Sequence, residues 1–175
     1  MQRAQIIYDS RLAGEVYRYH CWPHLRHQSI GEHSWQLLRI WFQIWGPPSV
    51  EVTTYIIWHD AGEIAIGDNP FPVKQNNPEL KKMLDDMEAE ALTKMGAPVT
   101  ELKPTDKIRV KICDLLDMHE FGLNEEQLGN KYAHPIVVDT LRTVYKLMDK
   151  LPESENQLIY AYLEMRRGQL ENHRG

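Results

Sequence analysis

His33, His59, Asp60 and Asp114 carry side chains that together could hold a cation. Glu63 follows His59 by four residues and Asp60 by three. On one helix, the imidazole and both carboxylates would therefore share a face. The run just before them, Tyr55-Ile56-Ile57-Trp58, is apolar, and buried carboxylates are costly there unless paired or metal-bound. A solvated helix end or a local ion pair would satisfy the same residues. His33, close to Trp35, reads on its own as a core histidine. Asp114 falls among Ile112, Leu115 and Leu116, where an unpaired carboxylate would be destabilising. Taken together, two imidazoles and two carboxylates form a mixed nitrogen and oxygen set able to hold a divalent metal ion with positions open for water or substrate. Zn, Co, Mn and Mg are not distinguishable from these residue types.

Helical periodicity supplies the elements that must position these groups. Ile30 to Trp45 spaces Trp35, Leu38, Trp41, Phe42 and Trp45 by threes and fours and stops at Gly46-Pro47-Pro48, which predicts one buried helix. Ser49 is placed to cap a second helix that runs through His59, Asp60 and Ile64 until Gly67. Residues 67 to 78, with three prolines and an Asn-Asn pair, predict an irregular loop. Pro78 opens a helix that Gly96 closes, and another is expected from about Thr105 to Glu120 with Gly122 as its stop. Ile136 to Met148 and Leu158 to Met165 complete the set, the last entered through Pro152 and Ser154. Met83, Met87 and Met95 read as core. The expected fold class is all-α, with six or seven helices in a single-domain bundle spanning residues 1–175.

At 175 residues, 42% hydrophobic and 26% charged, the composition is that of one ordinary globular domain. A net charge of −5 argues against nucleic acid or anionic lipid as a partner held by bulk charge. No run approaches a membrane span and the first residues lack a signal-peptide core, so a cytoplasmic protein is expected. Cys21 and Cys113 lie far apart and read as reduced thiols.

The ordered motifs carry a family resemblance. Arg18-Tyr19-His20-Cys21-Trp22-Pro23 through Glu32-His33-Ser34, then His59-Asp60-Ala61-Gly62-Glu63 on to Asp68 and Lys74, then Val110-Lys111-Ile112-Cys113-Asp114 resemble the HD-domain metal-dependent phosphohydrolases. Within them the wording is similar to the 5′-deoxynucleotidase branch and most similar to the compact phage-encoded dATP triphosphohydrolases. The resemblance implies an HD-fold helical bundle, with His33, His59, Asp60 and Asp114 as metal ligands. It gives Glu63 the role of acid/base carboxylate and Asp68 that of a second carboxylate beside the substrate. Arg18 and Lys74 become the cations that meet phosphate. Asp117, one turn beyond Asp114, is the competing choice of ligand, and the Val-Lys-x-x-Asp wording selects Asp114.

The activity so implied is removal of triphosphate from dATP. The alternatives are a 5′-deoxynucleotidase acting on monophosphates and a non-catalytic nucleotide-binding HD regulatory module. The resemblance also implies a homo-oligomer, a hexamer being one form, in the host cytoplasm if phage-encoded. Tyr19, Trp22 and Pro72, with Phe71, are placed to build a slot for a flat adenine, Trp22 forming the wall against a ribose 2′-hydroxyl. Four of the eight histidines fall between His20 and His33. They suggest a second metal site or a proton relay, or simply a polar loop beside Arg26.

Overall fold

A computed structural model describes residues 2–68 and 77–172. Among them are seven α-helices: α1 (Gln2–Ala13), α2 (Ile30–Trp45), α3 (Val50–Trp58), α4 (Pro78–Lys94), α5 (Pro104–Gln127), α6 (His134–Met148) and α7 (Glu153–Asn172). Two short 3-10 turns, Ala61–Ala65 and Lys131–Ala133, join them. No strand occurs among the described residues, only one isolated antiparallel bridge between Tyr17 and Ser29. The all-α expectation holds, and none of the described helices is long and apolar enough to cross a membrane.

The starts follow the expected capping chemistry. Ser29 accepts from the Glu32 amide, Ser49 from Val52 and Asn77 from Leu80, each satisfying an amide that the first helical turn leaves without a partner. Two apolar clusters meet along α5. On one side Ile112, Leu115 and Leu116 pack with Val144, Met148, Ile159 and Leu163. On the other, Val110 and Cys113 pack with Leu37, Trp41, Val52 and Ile56. With both clusters closed on it, α5 is the axis against which the site-bearing helices are held.

Several expectations need correction. The second helix ends at Trp58 rather than continuing to Ile64. Asp60 follows at φ −106° and ψ −1°, and the chain tightens into the Ala61–Ala65 turn. Gly62 explains why a turn sits there: a Cβ on it would lie 2.7 Å from the Glu88 carbonyl oxygen, so the turn presses directly on the α4 backbone. Nor does Gly122 stop α5, which runs on to Gln127. Here the missing side chain serves close approach, since a Cβ would come within 2.9 Å of Val137 Cγ2 on α6. The last helix is longer than Leu158 to Met165, and α1 is added at the start. Trp35 and Phe42 are exposed because Ile30, His33, Ser34, Leu37 and Trp41 take the inner stripe of α2. Met83 and Met87 are exposed too, leaving Met95 alone of the three methionines in the core. Of the proline-rich loop, residues 69–76 lie outside the described residues.

The segment between α1 and α2 carries Arg18 and is pinned from three sides. Its ends pair through Arg18 N–H to the Gln28 carbonyl and Ile30 N–H to the Val16 carbonyl, both at 2.9 Å. Tyr19 N–H donates to Asp68 Oδ2 at 2.6 Å. Glu125 of α5, only 1% exposed, accepts the Leu25 and Arg26 amides at 2.7 and 2.8 Å and Asn130 Nδ2 at 2.7 Å. Burial disfavours the charge on Glu125, but Asn130 and the two amides outweigh it and hold the carboxyl below its usual range.

Two outcomes are expected. Gly62→Ala should destabilise the protein by about 1–3 kcal/mol, the scale for forcing a side chain into a filled space. An unchanged midpoint in urea would refute the close-approach role. Because the folded pKa of Glu125 is depressed, its contribution is present above the unfolded value of about 4.3 and is lost as pH falls through the folded one. Glu125→Gln should therefore cost about 1.5–3 kcal/mol at neutral pH and flatten the acid limb of stability against pH, both read by denaturant unfolding across pH.

Candidate metal centre

α2 delivers His33 in its first turn and α3 delivers His59 at its C-terminal cap, with Asp60 next in the chain. Both rings are fixed through Nδ1. His33 Nδ1 lies 2.6 Å from Asp117 Oδ2, and His59 Nδ1 donates to the Ile56 carbonyl at 2.8 Å. That leaves the two Nε2 atoms, which are buried and have no hydrogen-bond partner. They face the same oxygen: Asp60 Oδ2 is 3.6 Å from His33 Nε2 and 3.4 Å from His59 Nε2. His33, His59 and Asp60 are the one group of three or more metal-ligating side chains found together among the described residues.

This arrangement fits a metal ion. A carbonyl can only accept, so His59 carries its proton on Nδ1 and offers a bare lone pair at Nε2. Burial, followed by the charge of Arg18, lowers the His33 pKa against the pull of Asp117, Asp114 and Asp60. Two lone pairs and a carboxylate oxygen thus face one another with nothing positive among them. Their spacing matches the edge of a tetrahedron with arms of about 2.1 Å, the length of metal bonds to imidazole and carboxylate.

Asp114 adjoins this group at His33. Its Oδ1 is 3.4 Å from His33 Nε2 and 3.6 Å from Arg18 Nη2, while Oδ2 is 2.5 Å from Lys111 Nζ. Burial would raise its pKa, but Lys111, His33 and Arg18 together drive it well below the carboxylate range. Asp114 is therefore ionised and held by two cations, beside the cluster of three rather than inside it.

Arg18 is 6% exposed, which is unusual for a guanidinium. Its Nη1 is buried without a hydrogen-bond acceptor, and its nearest carboxylates stand off at 3.6 Å (Asp114) and 3.8 Å (Asp117). Burial opposes its charge, yet Tyr19, Asp114, Asp60 and Asp117 raise its pKa above the ordinary value. Tyr19 is the one non-glycine residue of positive φ among the described residues, at 62°. Its ring stacks on Phe121 with centroids 4.1 Å apart, so it packs inward under Arg18.

Trp22 is half-buried on the same loop, its N–H bonded to the Tyr19 carbonyl at 2.9 Å. Asp68 is committed through one oxygen to the Tyr19 amide. Glu63 is buried in the 3-10 turn and tied to Asp60 by its own N–H at 3.0 Å. The helical face expected for His59 and Glu63 is replaced by this tighter turn, because α3 has already ended. Pro72 and Lys74, with Phe71, lie outside the described residues.

His24 and His27 hydrogen-bond each other at 3.2 Å, and His24 Nδ1 bonds the Trp22 carbonyl. With His20 they form no second ligand group among the described residues. Asp117, weighed from sequence only as a competing ligand, and Gln28, which sequence reasoning did not assign, also meet the site. Asp117 is on the far nitrogen of His33, and Gln28 Nε2 donates to the same Asp117 oxygen at 2.9 Å. A second aspartate one turn along an apolar helix is a signal for the first; Gln28 gives none.

A cavity of about 330 Å³ lined by Tyr55, Trp58, His59, Leu92, Thr93 and Val99 reaches the centre through His59. A larger one of about 420 Å³ between α1, α2 and α3 includes none of the three clustered groups. The smaller is the more relevant, since it alone of the two touches the clustered groups.

Residues 47–163 match the family described as 5′-deoxynucleotidase YfbR-like. That span takes in His59, Asp60, Glu63 and Asp114 but begins after Arg18 and His33. A dATP triphosphohydrolase of Cyanophage S-2L is 32% identical over 139 residues, covering 74% of this chain and 76% of that one. A 5′-deoxynucleotidase of Yersinia pestis is 26% identical over 152 residues, covering 80% and 72%. Among solved structures, the Cyanophage S-2L HD phosphohydrolase bound to dA and one catalytic Zn2+ ion is similar with a TM-score of 0.65 at 23% identity, covering 92% of this chain and 96% of that one. An HD-domain phosphohydrolase of Listeria innocua follows with a TM-score of 0.63 at 19% identity, covering 83% and 81%. The chain belongs to the YfbR-like 5′-deoxynucleotidase family and is a hydrolytic enzyme of the HD-domain phosphohydrolase class.

Proposed function

We propose that this enzyme is a divalent-metal-dependent deoxynucleotide phosphohydrolase that cleaves dATP to deoxyadenosine and triphosphate. The observation that carries the metal-dependent chemistry is the pair of buried, partnerless Nε2 atoms of His33 and His59 converging on Asp60. The similarity to the Cyanophage S-2L dATP triphosphohydrolase supports the choice of substrate.

His33, His59 and Asp60 hold the metal, with Asp114 as the fourth ligand on the His33 side. When bound, it supplies a Lewis acid that polarises a phosphoryl oxygen and makes water acidic enough to attack near neutral pH. Arg18 offers its unsatisfied Nη1 to a phosphate oxygen, and its burial makes that contact strong because little water competes. Glu63 accepts the proton of the attacking water. Asp68 sets the turn at Tyr19 and so aims Arg18, while Lys74 meets the distal phosphates. Tyr19, Trp22 and Pro72 frame the base. The same reading places the chain in the cytoplasm as a homo-oligomer, for which exposed Trp35 and Phe42 supply apolar surface. The second reading, a nucleotidase of deoxynucleoside monophosphates, is favoured by the family match.

His59→Ala and Asp60→Ala should each abolish hydrolysis and bound metal together, the latter read by elemental analysis. Glu63→Ala should keep its metal and lose roughly two orders of magnitude or more in turnover, the upper part of the range for a positioned proton acceptor. Loss of metal in that variant would make Glu63 a ligand instead. A panel of nucleotides should show release of triphosphate from dATP well above release from dGTP, dCTP, dTTP and ATP, with Trp22→Ala eroding the preference over ATP. Equal rates on the four deoxynucleoside triphosphates would refute the adenine slot, and activity confined to monophosphates would establish the second reading.

A further inference from the structure

The environment of His33 beyond its metal-facing nitrogen leads to an inference that rests on, and deepens, the metal-dependent reading. His33 is fully buried, and its two ring nitrogens face opposite ways. Nε2 faces Asp60 and Asp114, while Nδ1 meets Asp117 Oδ2 at 2.6 Å. That one oxygen also accepts Gln28 Nε2 at 2.9 Å and lies 3.8 Å from Arg18 Nη1. Asp117 and Gln28 are 5% and 4% exposed. The Gln28 carbonyl in turn accepts the Arg18 amide. A single buried carboxylate thus ties the α2 histidine, the segment carrying Arg18 and helix α5 together.

We propose that Asp117, backed by Gln28, is a positioning residue that keeps the His33 proton on Nδ1 and turns a bare Nε2 toward His59 and Asp60. A neutral imidazole with no partner distributes its proton over both nitrogens, and whichever nitrogen is protonated cannot bind metal. An anionic acceptor on Nδ1 removes that choice and makes Nε2 a better donor. Outer carboxylates of this kind typically change metal affinity by about 10–100-fold. The position also explains why Asp117 is no ligand, since it sits on the side of the ring away from the cluster. Gln28 donates to the same oxygen that accepts the histidine N–H, so two donors together hold that carboxylate toward His33.

The test uses the full chain. In the metal-free protein, nitrogen NMR should find neutral His33 in the Nδ1-protonated form. In Asp117→Ala its proton should redistribute toward Nε2, while His59, locked to the Ile56 carbonyl, stays unchanged and reports an intact fold. Titration calorimetry with Co2+ should show affinity roughly tenfold weaker in Asp117→Asn, which keeps the shape but not the charge, and up to about 100-fold weaker in Asp117→Ala. Gln28→Met should show a smaller loss in the same direction. An unchanged His33 tautomer with wild-type Co2+ affinity in Asp117→Ala would overturn the proposal. Failure of the wild-type chain to bind Co2+, with the tautomer still moving on substitution, would overturn the metal reading and leave the positioning of His33 standing.

Discussion

Two buried imidazole nitrogens, His33 Nε2 and His59 Nε2, held 3.6 and 3.4 Å from one oxygen of Asp60 are the constraint on which the rest of this structure depends. His33 Nε2, His59 Nε2 and Asp60 Oδ2 repel one another unless a positive charge is shared among them. Around them stand Asp114 and Asp117, answered by buried Arg18 and half-exposed Lys111. Burying so many carboxylates opposes folding unless each finds a cation or a donor. A protein that accepts this cost must hold the groups by its strongest packing, and here the core on both sides of α5 does so.

The geometry is built from element ends. α2 begins and α3 stops within reach of each other, so each imidazole sits where the backbone can turn toward the centre. The Ser29 cap starts α2 early enough to place His33 in its first turn. The collapse of α3 at Trp58 frees Asp60 from the helix. Gly62 allows the following turn to lie on α4, which brings Glu63 inward to a buried position. Ordinary local rules therefore do the positioning: a capping hydroxyl, a break in helical geometry and a backbone approach that only glycine permits.

Much of this was legible in the sequence, for a physical reason. Histidine and aspartate embedded in apolar runs must be compensated, so His59, Asp60 and Asp114 announced themselves by cost. The shared helical face drawn for Glu63 was not real, because α3 ends at Trp58 and the following turn lies against residue 88 of α4, a tertiary approach that no local pattern encodes. Gly122 misled likewise: glycine reads as a stop from propensity, yet α5 continues through it, and the glycine is there because Val137 occupies the space of a side chain. Tryptophan and methionine misled by type. α2 is apolar around most of its circumference, and only the fold decides that Leu37 rather than Trp35 is turned inward. Asp117 was visible only as a competing ligand and Gln28 not at all, as which nitrogen of His33 they serve follows from the rotation of α5 against α2.

The loop from Tyr17 to Ser29 shows how the same constraint reaches the segment before α2. Tyr19 adopts a backbone conformation that costs a non-glycine residue of order 1 kcal/mol or more, and two contacts sustain it: Asp68 on its amide and Phe121 on its ring. The result of that turn is that Arg18 points inward while Trp22 stays at the boundary with solvent. Neighbouring carboxylates at 3.6 and 3.8 Å keep the guanidinium charged without closing hydrogen bonds on it. A cation so placed is fully ionised, desolvated and still unsatisfied at Nη1. Arg18 thereby sets a buried positive charge between Asp114 and Asp117, the two carboxylates that flank His33, so the strained turn at Tyr19 serves the charge balance of the centre.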